Sequence, residues 1–106
     1  MEQSTIDSVL KFRDDRDWLK YHNGKDLAIS ISLEANELLE NYQWSAGDVD
    51  RVNKIDGIKE ELADVMIYSI MLADYYGLDL DEIINEKLEK NLKKYPNGKK
   101  IDLSKK

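Results

Sequence analysis

The sequence predicts an all-α domain: a bundle of about four helices whose core is completed by homo-oligomerisation. Three observations predict it. Five Gly, one Pro and few β-branched runs in 106 residues leave little room for strands. Apolar residues recur at helical spacing in four successive segments. One of these, around Glu60–Ala73, is apolar nearly all the way round, and a chain this short can hardly cover such a helix alone.

The first helix is expected from Thr5 to Tyr21, with Ile6, Val9, Leu10, Phe12 or Arg13, Trp18 and Leu19 near helical spacing, and His22-Asn23-Gly24 as its stop. The second is expected from Asp26, as N-cap, to Tyr42. Its stripe Leu27, Ala28, Ile31, Ala35, Leu38, Leu39 and Tyr42 fits one face, while a wheel of about 100° per residue puts Ile29 and Leu33 on another. Glu34 and Glu37 fall between these sectors rather than on an open polar side. Ser45-Ala46-Gly47-Asp48 is turn chemistry, and the polar stretch to Gly57 reads as loop or short helix. The third helix runs from Ile58 to Tyr76, ended by Gly77. The fourth runs from Leu80 to Lys94, capped by Asp79 or Asp81, with Ile83, Ile84, Leu88 and Leu92 inward. No repeat or linker divides the chain, so residues 1–106 form one domain.

The formal charge of −6 and a pI near 4.8 argue against a general nucleic-acid binder, duplex above all, which would show a basic face. Single-stranded nucleic acid and phosphorylated small molecules stay open, because a metal can reverse the local sign. The absence of Cys rules out thiol catalysis and Cys-type zinc sites, and a single His makes a Ser-His triad a poor fit. The N-terminus has neither a basic segment nor an apolar one of the signal-peptide kind, and Leu62–Ala73 is too short to span a bilayer. The expectation is a cytoplasmic protein without membrane contact. The tail, about 97–106 and with Lys93 and Lys94 before it, is basic. It reads as a solvated end or as a flap that faces phosphate.

Two carboxylate pairs stand out, Glu34 with Glu37 and Glu61 with Asp64. Positions i and i+3 share one side of a helix. Asp64 sits inside the apolar run, and Asp is almost never fully buried without a partner or a metal. If the second and third helices pack antiparallel, four oxygen donors converge, the ligand set that Mg²⁺ or Mn²⁺ prefers. Taken singly, Glu-x-x-Glu is common on solvated helices. The competing account of the buried pairs is a salt-bridge network to Lys25, Lys59 or Lys87. Trp18, Trp44 and Tyr68 could stack on a base, with Tyr68 one turn beyond Asp64, although core packing is the ordinary fate of such aromatics. His22 and Lys25 lie in the turn before the second helix, where a phosphate could use the helix N-terminus.

In order along the chain come Arg16-Asp17-Trp18, His22-x-x-Lys25, Ser32-Leu33-Glu34-Ala35-x-Glu37-Leu38-Leu39-Glu40, Gln43-Trp44, Glu60-Glu61-Leu62-Ala63-Asp64-Val65 with Tyr68, Lys87-x-x-x-Asn91 and Lys94-Tyr95-Pro96. From about Phe12 to Pro96 this order resembles the MazG-like branch of the all-α nucleoside triphosphate pyrophosphohydrolases, closest to the dCTP pyrophosphatase subgroup. The resemblance implies Mg²⁺-dependent hydrolysis of (deoxy)nucleoside triphosphates to monophosphate and pyrophosphate, with dCTP-like substrates and a role in dNTP pool sanitation. It places the metal on Glu34, Glu37, Glu61 and Asp64, and the base on Trp18, Trp44 and Tyr68 with His22 beside them. Lys87 and Asn91 fall near the phosphates, and Tyr95 also matches. The family pattern usually has Pro and Asn in the turn that here reads Gly24-Lys25-Asp26, which leaves base preference open.

On this reading Glu37 or Glu34 is the general base for water attack on the α-phosphorus. The chain would act as a dimer or tetramer. The rival readings are a non-catalytic helical module that binds nucleotides or a partner, and a purely structural oligomeric bundle.

Overall fold

In the computed structural model, which describes residues 1–96, the chain forms four α-helices and, among those residues, no strand. They are α1 (Gln3–Asp15), α2 (Gly24–Glu40), α3 (Ile55–Tyr75) and α4 (Leu80–Lys94). The all-α expectation is borne out, with corrections at several boundaries.

Helix α1 ends six residues before the expected Tyr21. Asp17 adopts a left-handed conformation (φ 54°), and the Trp18 and Asp17 amides donate to the carbonyls of Arg13 and Asp14 at 3.1 and 3.0 Å. That is a Schellman stop, with Asp in the place Gly usually takes, because its short polar side chain tolerates φ > 0. Trp18 therefore lies outside α1, just before a 3-10 turn at Leu19–Tyr21. Its ring packs edge-on against Phe12, with centroids 5.3 Å apart. The residue of α1 that is buried is Arg13, whose Nη1 donates to Asp74 Oδ2 of α3 at 2.6 Å.

Helix α2 begins two residues earlier than expected, and its N-cap is Asn23 rather than Asp26. The Asn23 side chain accepts from the Asp26 amide and donates to the Asp26 carboxylate, both at 2.8 Å, so two polar groups of the first turn satisfy each other. Helix α3 starts at Ile55, directly after a 3-10 turn at Val52–Lys54, so Gly57 lies inside the helix. At its end Gly77 (φ 67°) makes a second Schellman stop, with Leu78 donating to Ala73 O at 2.8 Å. Asp79, not Asp81, caps α4 by accepting from the Glu82 amide.

Helices α2 and α3 run antiparallel and make the principal contact of the fold. Asn41 meets Gly57 at one end, and Gly24 meets the Tyr76 hydroxyl at the other. A Cβ at Gly57 would lie 2.5 Å from Asn41 Oδ1, so glycine there admits the end of α2. Helix α1 packs on α3, and the core is Leu27, Ile70, Met71 and Ala73.

Burial in the single chain is incomplete at two helices, as expected for α3 and as a correction for α4. Helix α3 is not covered on all sides, since Leu62 and Met66 are exposed beside its buried Ile70 and Met71. A groove of 610 Å³ runs along α1 and α3, lined by Val9, Phe12, Met66 and Ile67 among others. Helix α4 makes only marginal contact with the rest. Of its apolar stripe only Ile83 is half-buried, while Ile84, Leu88 and Leu92 are exposed. Beyond its first turns α4 leaves its apolar stripe uncovered among the described residues. Most of the basic tail, residues 97–106, lies outside the described residues. Lys93 and Lys94 occupy the last turn of α4, where they complement the helix dipole.

Candidate metal and nucleotide site

The antiparallel pairing brings the two carboxylate pairs together. Glu34 lies in the line of α2 that faces α3, with Leu27, Ile31 and Leu38, while Gly57, Glu61, Asp64 and Tyr68 follow one line of α3. One oxygen each of Glu34, Glu61 and Asp64 lies within 4.8 Å of the others, a spacing one cation bridges. Glu37, one turn on, is more exposed and sits against Glu34 and Glu61. All four expected carboxylates thus belong to one cluster.

Burial pushes the Glu34 carboxyl up to about 7, and hydrogen bonding and charge from Glu37, with charge from Asp64, add to the rise. Glu61 is also raised, by burial first and then by Glu37 and Asp64, against a Glu34 hydrogen bond that lowers it. Among the described residues no Lys or Arg approaches these carboxylates within 4.0 Å, so the salt-bridge network to Lys25, Lys59 or Lys87 is absent there. Instead Glu34 Oε2 and Glu61 Oε2 are shut off from solvent with no hydrogen-bond partner. Buried acceptors without a donor, all of them oxygen, fit a hard divalent cation.

Beside the cluster lies a cavity of 290 Å³ lined by Trp18, Tyr21, His22, Asp26, Ser30 and Tyr68, with Leu27 at its floor. Three of the expected substrate residues, Trp18, His22 and Tyr68, meet here. Burial lowers the His22 pKa, and the positive charge of Arg13 lowers it further, so the imidazole is neutral at pH 7. Its Nδ1 is buried and unpartnered. Burial raises the Tyr68 phenol, and Glu34, Asp64 and Glu37 raise it further, so it stays protonated and able to donate.

The remaining expected residues are placed elsewhere in the single chain. Trp44, 97% exposed and left-handed (φ 60°), follows α2 and walls a different cavity of 440 Å³. That cavity also holds Glu37, Glu61, Arg51 and Lys54. Lys25 is exposed in the first turn of α2. Lys87, Asn91 and Tyr95 ride on α4 or just beyond it, and none of them lines a cavity with the carboxylates. Sequence reasoning missed Arg51 and Lys54. The signal was spacing: Lys54 continues upstream the line Gly57, Glu61, Asp64 and Tyr68.

The MazG-like family model matches residues 29–106, which is most of the chain and includes every carboxylate of the cluster. The chain belongs to the MazG-like family. Among relatives of this MazG-like chain, dCTP pyrophosphatase 1 of Rattus norvegicus is 30% identical over 92 residues, covering 81% of this chain and 54% of the rat protein. The Homo sapiens dCTP pyrophosphatase 1 is 30% identical over 91 residues with the same coverage. The MazG-like chain therefore spans about half the length of these mammalian relatives. Among solved structures, a pyrophosphatase from Archaeoglobus fulgidus superposes with a TM-score of 0.82 at 41% identity, covering 90% of this chain and 92% of that one.

Proposed function

We propose that this MazG-like protein is a divalent-cation-dependent nucleoside triphosphate pyrophosphohydrolase, acting on deoxynucleotides of the dCTP kind with Mg²⁺, or Mn²⁺ in its place. The observation that carries the reading is the cluster Glu34–Glu61–Asp64, two of whose oxygens are buried without a donor, beside an aromatic cavity of base size. Relatives named dCTP pyrophosphatase and pyrophosphatase support the reaction class.

Glu34, Glu61 and Asp64 would hold the ion, with Glu37 beside them, and a divalent cation bound there would supply charge neutralisation for the triphosphate and a lowered pKa for water. The base enters between Trp18 and Tyr68, where stacking contributes about 1–3 kcal/mol. Neutral His22 offers a ring nitrogen to the base edge. A water held by Glu37 or Glu34 attacks the α-phosphorus, the bond to the bridging oxygen of the β-phosphate breaks, and pyrophosphate leaves. The proton passes to the carboxylate. Lys87, Asn91 and Tyr95, remote within one chain, act on the phosphates from a second copy. Lys25 and Trp44 act at the rim.

The test is pyrophosphate release from a panel of canonical and modified dNTPs, with Mg²⁺ and with EDTA. Metal-dependent release led by a cytosine nucleotide is expected. Silence across the panel from a protein that binds Mg²⁺ would instead identify a binding module.

A further inference from the structure

We propose that Arg51 and Lys54 form a subsite for the terminal phosphates of the bound nucleotide, and for the pyrophosphate cut from it. The ligand's identity rests on the hydrolase reading above, but the subsite itself rests on placement.

The cavity of 440 Å³ on the α2–α3 loop side shares Glu37 and Glu61 with the carboxylate cluster, and across it stand the cations Arg51 and Lys54. The base cavity lies at the other end of the cluster, at Tyr68. Along one line of α3 the order is therefore Tyr68, Asp64, Glu61, Gly57 and then Lys54 at the N-cap. This line spans about 21 Å at 1.5 Å per residue, with room for a base, a sugar and three phosphates laid in sequence. With the base at Tyr68 and the α-phosphate at the carboxylates, the β- and γ-phosphates reach Lys54 and Arg51.

The cations are suited to that place. Arg51 is held in a left-handed conformation (φ 46°), a strained state for a side chain of this size. Its amide donates to Asp48 Oδ1 at 3.1 Å, and its Nε donates to Asn41 O at 3.0 Å. The Arg51 side chain is only 18% exposed, and its Nη1 stands 4.0 Å from Asp48 Oδ2. The loop thus fixes Arg51 and leaves its terminal N–H groups without a hydrogen bond among the described residues, and such groups bind phosphate in pairs. Lys54 makes no ion pair among the described residues. In a chain of net charge −6, two cations facing an acidic cluster across one cavity oppose the repulsion a polyphosphate meets there.

The experiment measures binding of inorganic pyrophosphate and of dCMP, each with Mg²⁺, by titration calorimetry on the full chain, wild type against Lys54→Gln and Arg51→Gln. Each substitution is expected to weaken pyrophosphate by at least about tenfold while dCMP stays within about twofold. Should Arg51→Gln fail to fold, having lost its tie to Asn41, Lys54→Gln decides alone. Unchanged pyrophosphate affinity in folded Lys54→Gln overturns the subsite. So does an equal loss of both ligands, which would place the base on this side of the cluster, or a wild type that does not bind pyrophosphate. A wild type that binds pyrophosphate in this pattern yet hydrolyses no dNTP keeps the subsite and removes the hydrolase.

Discussion

With its carboxyl raised to about 7, Glu34 is half protonated at neutral pH when no cation is present. The unfolded chain returns it to its ordinary 4.5, so between those values the folded state binds the extra proton. The stability this group contributes is full below the lower value and is lost as pH rises through the higher one. In EDTA, the melting temperature of wild type minus that of Glu34→Gln should fall from about pH 5 to about pH 8. Mg²⁺ should reverse the trend for wild type, because the ion favours the ionised carboxylate. Differential scanning fluorimetry reads both, and a flat difference across that range contradicts the assigned titration. The same cluster makes a prediction about activity. Glu61→Ala and Asp64→Ala should each lose at least about a hundredfold in turnover. Their helical circular dichroism should persist, and their metal-free melting temperature should hold or rise, since each removes like charge from a buried group. Substantial turnover in both would remove the metal site.

Helix stops decide what the elements can present. Asp17 ends α1 in the left-handed region, which costs an L-residue about 1–2 kcal/mol. Asp17→Gly should therefore raise stability in urea unfolding by about 0.5–1 kcal/mol, and Asp17→Val should lower it by about 1 kcal/mol. The exposed Lys20–Asp17 pair at 2.9 Å changes that little. An Asp17→Gly variant less stable than wild type would show that the stop depends on the carboxylate. Asp17 also marks a boundary of what a sequence makes legible. Gly77 and Asp79 announce themselves because their residue types are specialised for a stop and a cap. Asp17 tolerates its conformation without advertising it, and Trp18 and Leu19 happen to continue the helical spacing beyond the true end. The carboxylate cluster was legible because charge inside an apolar run has few explanations. The Arg51–Lys54 pair was not, since two cations in a polar loop look solvated until the fold sets them against Glu37 and Glu61. For α4 the stripe shows which residues share a face and says nothing about what covers it.

At the scale of the whole molecule, the described residues leave apolar surface open in two places: the groove along α1 and α3, and the stripe Ile84, Leu88 and Leu92 on α4. Asp64 and Tyr68 line that groove as well as bordering the site, so a helix laid in it would stand next to the carboxylates. A second copy supplying α4 would cover both apolar surfaces at once and carry Lys87 and Asn91 to the phosphates. Light scattering on a size-exclusion column should accordingly find a dimer or tetramer at micromolar concentration. Leu88→Asp, alone or with Leu92→Asp, should shift it to monomer and reduce turnover. A wild type that is monomeric and fully active would mean that α4 folds back on its own body in solution, and that Lys87 and Asn91 reach the site within one chain.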